Sequence, residues 1–236
     1  EAEAEFQKAI ELDPENGDAH HNLGYVYVEQ GKYEEGVAAY EKAIEIAPDN
    51  GEAYGDLAGA LVFLDRIPEA VTAGEKAVEL APDYASAHYN LGLAYGKQGE
   101  LEKAIAEYEE AIRLDPDDPR AHNNLGASYY VQGRVDDAID AWLKALDIDP
   151  DYAKAHKNLG VAYSDLGRID DAIAEFETYL RLLPDAPDKA EVEKTIADLQ
   201  EMAASPLAEY RNDEGGYSLV YPRALYYADE DAWVAF

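Results

Sequence analysis

Apolar residues recur three, four and seven apart along most of the chain, in runs such as Leu23, Val26, Tyr27 and then Val37, Tyr40, Ile44. That spacing lays one apolar stripe along a 3.6-residue helix, so each run predicts an amphipathic helix. The runs come in pairs, and the pairs recur every 34 residues, an interval marked by Pro14, Pro48, Pro82, Pro116, Pro150 and Pro184. Each proline stops the second helix of a pair, because it lacks an amide and crowds the preceding turn. Gly31, Gly99, Gly133 and Gly167 fall between the two helices of a pair and end the first by accepting the left-handed conformation. No pair can hide its stripe alone, so stacked neighbours must do it.

Other positions keep the same register. Leu23, Leu57, Leu91, Leu125 and Leu159 are each followed by Gly or Ala. Small residues stand at Gly36, Ala70, Ala104, Ala138 and Ala172, and bulky rings at Tyr40, Tyr108, Trp142 and Phe176. Leu-Gly, Tyr, Ala, aromatic and Pro in this order at this period resembles the tetratricopeptide repeat, over residues 1–186. The resemblance implies an all-α fold, a right-handed α-solenoid of helix-turn-helix repeats. Residues 1–16 then form half a repeat, its second helix. Five full units follow at 17–50, 51–84, 85–118, 119–152 and 153–186, and a capping helix at 187–204 carries Val192, Ile196, Leu199 and Met202 on one stripe. The opening Glu-Ala-Glu-Ala-Glu-Phe resembles a secretion-vector scar, but Ala2, Phe6 and Ala9 keep the helix register and read as native sequence.

After Ser205-Pro206 the helical period ends. Short Tyr-rich runs predict a β-hairpin or meander over 205–236, with Gly215-Gly216 as a turn and Tyr217, Leu219 and Tyr221 alternating along a strand. The stretch from Tyr210 to Pro222 resembles the opening hairpin of the extrinsic P-subunit-like domains of photosystem II, departing from it at Leu225. A short sheet is marginal alone, so Tyr217, Leu219, Tyr221, Trp233, Val234 and Phe236 become candidates for self-association, together with Phe6 on the half repeat.

Composition narrows the partners. The 51 acidic and 19 basic residues give a formal charge of -32, which disfavours nucleic acid and anionic membrane surfaces. Acidic pairs such as Glu34-Glu35, Asp136-Asp137 and Asp170-Asp171 read as a solvated outer face. No cysteine is present, and no apolar run is long enough to span a bilayer. The expectation is a soluble chain from a prokaryote, with the cell envelope or the extracellular side favoured over the cytoplasm and the compartment left open.

Chemistry is sparse. His20, His88, His122 and His156 share one repeat position and are too far apart, about a helix diameter, to ligate one ion. They read as a structural ladder, and no metal or cofactor is expected. No nucleophile elbow or phosphate loop occurs, so no catalytic residue is assigned.

Function therefore falls to surfaces. In the repeat family the first helices line a concave groove. Mapped onto this chain, its early part shows Asp18, His21, Asn22, Tyr25, Glu29, Glu52, Asp56 and Phe63. Its late part shows Tyr89, Asn90, Lys97, Arg120, Asn123, Asn124, Tyr130, Lys154, Lys157 and Asn158, a cationic, amide-rich stretch suited to an acidic peptide. Asn124 and Lys154 match carboxylate-clamp positions of related repeats, whereas Tyr89, Leu93 and Asn158 depart from them. The expected function is a non-enzymatic scaffold holding an extended or helical peptide. Two alternatives stand beside it: a subunit assembling head to tail, and the docking region of a larger envelope or secreted protein. The second unit is irregular: Gly74 replaces the ring, Asp65 the mid-unit glycine, and Pro68 enters the second helix. The missing ring predicts a notch, open to a partner's side chain or closed by Phe63.

Overall fold

The computed structural model describes residues 2–204, so the expected β segment at 205–236 lies outside the described residues. Those described are helices and short turns, in two compact units, Glu1–Gln132 and Gly133–Phe236. The first unit holds α1 (Ala2–Leu12), α2 (Gly17–Glu29), α3 (Tyr33–Ile46), α4 (Gly51–Phe63), α5 (Ile67–Leu80), α6 (Ala85–Gln98), α7 (Leu101–Leu114) and α8 (Pro119–Val131). The second holds α9 (Val135–Ile148), α10 (Ala153–Asp165), α11 (Ile169–Leu182) and α12 (Lys189–Ala204).

Local chemistry sets the ends. Every second helix, from α1 to α11, stops two residues before its proline. Asn16, Asn50 and Asp118 cap first helices by accepting a bond from a backbone N–H of the first turn. Second helices start without a side-chain cap and place acids in the first turn, including Glu34 and Glu35, Asp136 and Asp137, and Asp170 and Asp171. There the carboxylates meet the positive end of the helix dipole. Gly31, Gly99, Gly133 and Gly167 all have positive φ, and Asp65 takes the same left-handed conformation at φ 56°.

Packing inside a repeat turns on one contact. A Cβ at Gly24 would lie 2.7 Å from the Tyr40 ring, one at Gly92 2.7 Å from Tyr108, and one at Gly160 2.7 Å from Phe176. Each ring thus lies against the bare backbone of the first helix, and Tyr40, Tyr108 and Phe176 are buried. Trp142 is buried on α9 as well. On α12, Val192, Ile196 and Leu199 are buried as the stripe predicts, while Met202, one turn further on, is exposed.

The second repeat departs from this rule, and the expected notch is absent. A Cβ at Gly74 would meet Leu91 Cδ1 at 2.9 Å and Leu91 Cβ at 3.0 Å, so α6 itself fills the place of the ring. Gly51, Gly55 and Gly59, one turn apart on α4, allow the same close approach, with Ala81, Ala87 and Asn90 as their neighbours. Accordingly α4 packs on α6 far more closely than α2 on α4 or α6 on α8. Phe63 does not close the gap but stacks on Tyr33, with centroids 4.7 Å apart and planes 8° from parallel.

Two substitutions test this account. Gly92→Ala drives a methyl into the fixed Tyr108 ring and is expected to cost about 1–3 kcal/mol in urea unfolding. Restoring the consensus ring with Gly74→Tyr is expected to destabilise at least as much, because Leu91 occupies the space; a rise in stability would show that the second repeat is underpacked.

Candidate functional site

The histidine ladder is structural. In His20, His88, His122 and His156 the Nε2 lies 3.0 to 3.1 Å from the carbonyl oxygen of Pro14, Pro82, Pro116 and Pro150. Each imidazole donates there and ties a first helix to the turn before it. In two repeats the other nitrogen also faces an acceptor: His88 Nδ1 lies 2.7 Å from Glu107, and His156 Nδ1 2.5 Å from Glu175. Only the imidazolium can donate from both nitrogens. The bond to Glu107 raises the pKa of His88, with burial opposing and the Pro82 carbonyl assisting. Among the described residues no group of His, Cys, Asp or Glu is placed to hold a metal ion.

Successive first helices of the first unit are joined across a spacing of 35 residues. His21 on α2 lies 2.9 Å from Asp56 on α4, Asn90 Nδ2 on α6 donates to the Gly55 carbonyl at 2.9 Å, and Asn124 Nδ2 on α8 donates to the Tyr89 hydroxyl at 3.2 Å. Tyr84 donates to the other oxygen of Asp56 at 3.1 Å. The Asp56 bond raises the His21 pKa against the cost of burial, with Glu52 and Asp18 adding to it. The link from His21 through Asp56 to Tyr84 escaped the sequence reading. Its one signal was Asp56, standing in a column that otherwise reads Asn22, Asn90, Asn124 and Asn158.

The residues expected to form the late groove divide between the units. In the first, the Arg120 guanidinium sits 4.9 Å over the Tyr89 ring and also bonds Asp118 at 2.8 and 2.9 Å. Burial raises the Tyr89 pKa, while Arg120 works against that. Asn123 and Asn124 are buried and bonded to each other, and Lys97 and Tyr130 are half-buried. In the second unit Lys154 is exposed on α10, and the protein around it still strips enough water from its ammonium to lower its pKa. Lys157 lies 2.6 Å from Asp188, which also accepts from Tyr179 at 2.6 Å, and Asn158 is half-buried on α10. Burial of Asp188 would raise its pKa, but Lys157 and Tyr179 outweigh that and lower it. Lys157 thereby fastens α10 to the start of α12.

Of the self-association candidates, Phe6 is half-buried on α1, a helix with no fully buried residue, and Leu12 is 80% exposed. Tyr217, Leu219, Tyr221, Trp233, Val234 and Phe236 lie outside the described residues, as does the hairpin resemblance. Two clefts of about 570 and 630 Å3 sit beside second helices, the larger lined by Glu41, Tyr54, Leu57, Leu61 and Glu75, and neither is lined by any of the late-groove residues.

Family models place the chain. Models of the tetratricopeptide repeat match residues 56–119, 89–153 and 128–187, and further ones match 17–50 and 1–31. The chain belongs to the tetratricopeptide repeat family. No curated protein matches it. Many solved structures do. MamA is 28% identical, with 75% of this chain and 97% of MamA covered, at a TM-score of 0.58. YrrB, described as a TPR protein with an unusual peptide-binding site, is 24% identical, with 80% of this chain and 97% of YrrB covered, at a TM-score of 0.59. TTC0263, a thermophilic TPR protein of Thermus thermophilus, is 23% identical, with 78% and 99% covered, at a TM-score of 0.64. The last two likenesses show the fold alone. No helix among the described residues is long and apolar enough to cross a membrane.

The His88 geometry gives stability a pH dependence. Its pKa is raised on folding, so its contribution is complete below the unfolded value of about 6.5 and fades as pH rises through the higher folded value. His88→Leu should therefore cost about 1.5–3 kcal/mol near pH 6, the range for a hydrogen bond to a charged group, and clearly less near pH 9. Urea unfolding at the two pH values checks this, and an equal cost at both would refute the charged state.

Proposed function

We propose that the chain is a non-enzymatic scaffold that holds an extended or helical peptide along its first helices. The observation that carries this reading is the set of cross-repeat bonds in the first unit, His21 to Asp56, Asn90 to Gly55 and Asn124 to Tyr89. They fix neighbouring first helices in place before any ligand arrives, which lowers the ordering cost of binding. Stacked repeats use such surfaces to bind peptides, and YrrB offers a relative with a peptide-binding site. Within this reading an acidic segment of the partner meets Arg120 and Lys97 on the first unit, while Lys154 and Lys157 are separate candidates on the second. The carboxylates already on Arg120 and Lys157 mean that the ligand must replace or share an existing pair.

Self-assembly is the second reading, favoured by the side of α1 on which Leu12 is 80% exposed. It joins that side of one copy to the 205–236 segment of the next, and an envelope or secreted location suits either reading.

Selection of peptides from a random phage library on the immobilised chain separates the two. The scaffold reading expects enriched peptides that protect α2, α4, α6 and α8 from hydrogen exchange and lose about tenfold in affinity on Arg120→Glu, the loss of one charge-assisted contact. No enrichment, together with assemblies that dissociate on Leu12→Asp, would favour self-assembly instead.

A further inference from the structure

The α2–α4 part of the first unit differs in chemistry from the α6–α8 part. Neither α2 nor α4 contains a Lys or Arg, whereas Lys97 and Arg120 stand on α6 and α8. Asp18, Glu29 and Glu52 are exposed there, and Asp56 is half-buried against His21. The neighbouring cations Lys32 and Arg66 are each paired, with Glu3 and Glu69.

Among these acids stand uncovered rings. Tyr25 is 54% exposed and Phe63 58%, while the repeat's own rings are sealed, Tyr40 at 1%. Phe63 gains no cover by moving inward, because α6 already fills the second repeat against Gly74. It lies flat on Tyr33 instead, so the two rings form a flat, partly exposed shelf. Such exposed aromatic surface marks an interaction site more often than does scattered exposure of single apolar residues.

The neighbouring charges select the occupant. A guanidinium stacks its plane on an aromatic ring while its edge bonds carboxylates, and it sheds water more readily than an ammonium does. The molecule already uses this geometry, with Arg120 over Tyr89 beside Asp118 and with Arg168 4.0 Å over Tyr163 beside Asp171. At the α2–α4 stretch the rings and acids are present and the arginine is missing. We propose that this stretch docks an arginine-bearing segment of a protein partner, with guanidinium groups over Tyr25 and the Tyr33–Phe63 shelf and bonded to Asp18, Glu29 and Glu52. The proposal rests on the peptide-scaffold reading and adds a position along the surface and a partner chemistry to it.

Fluorescence anisotropy with labelled hexa-arginine and hexa-lysine at physiological salt tests it. The expected result is tighter binding of hexa-arginine, weakened about tenfold by Tyr25→Ala with Phe63→Ala. Glu102→Gln with Glu109→Gln, which removes two exposed charges on α7, a helix packed on α6 and α8, should leave it within about twofold, since distant exposed charges are screened. Both sets replace exposed or surface side chains, and circular dichroism confirms folding. Equal losses in the two variants would assign binding to the general negative field and overturn the proposal, as would equal affinity for hexa-lysine or no binding at all. If library peptides still protect the first helices while hexa-arginine ignores Tyr25 and Phe63, the arginine assignment falls and the scaffold reading stands. If neither probe binds, both fall.

Discussion

Between the two helices of a repeat, an aromatic ring from the second lies against a glycine of the first, as Tyr40 on Gly24, Tyr108 on Gly92 and Phe176 on Gly160. The contact buries most of a ring against the bare backbone of the first helix, so one pair of residues sets both the energy and the separation of a hairpin. Once that separation is set, Leu23, Leu91 and Leu159 fall inside and the polar faces fall outside. The surface available to a partner is whatever this packing leaves over.

Much of this was legible in the sequence because the cues are local. A proline ends a helix through its own covalent structure, and a glycine between helices takes positive φ without strain, so Pro48 and Gly99 announce their roles alone. The pairing of Gly92 with Tyr108 could also be read, since both recur in register. What escaped depends on partners distant in the chain. Nothing near Gly74 says that Leu91 will settle on it, nor that Phe63 will turn to Tyr33. Periodicity puts Asn123 and Asn124 on the first-helix face expected to line a groove, but it cannot say how deep they lie, and both are buried, with Asn123 donating to Asn124. Depth depends on neighbouring helices, whereas the face depends only on the residue's own helix.

The charged residues show the same division. Acids counted as a solvated outer face turn out to occupy the first turns of second helices, where each faces a helix dipole. Cations counted as groove ligands turn out to have internal partners, with Lys157 holding Asp188 and Arg120 holding Asp118. A net charge of -32 leaves few cations to spare, and several of those on the described helices, Arg120 and Lys157 among them, bind the chain to itself.

The glycines of α4 alter the spacing of what lies along the first unit. Because α4 sits closer to α6 than its neighbours sit to each other, the steps from α2 to α4, from α4 to α6 and from α6 to α8 are unequal. A ligand with its own even repeat can match one of those steps but drifts out of phase at the next. On the proposed binding surface the first helices therefore form a ruler with one shortened division between two longer ones, which would distinguish a ligand of irregular spacing from a monotonous one.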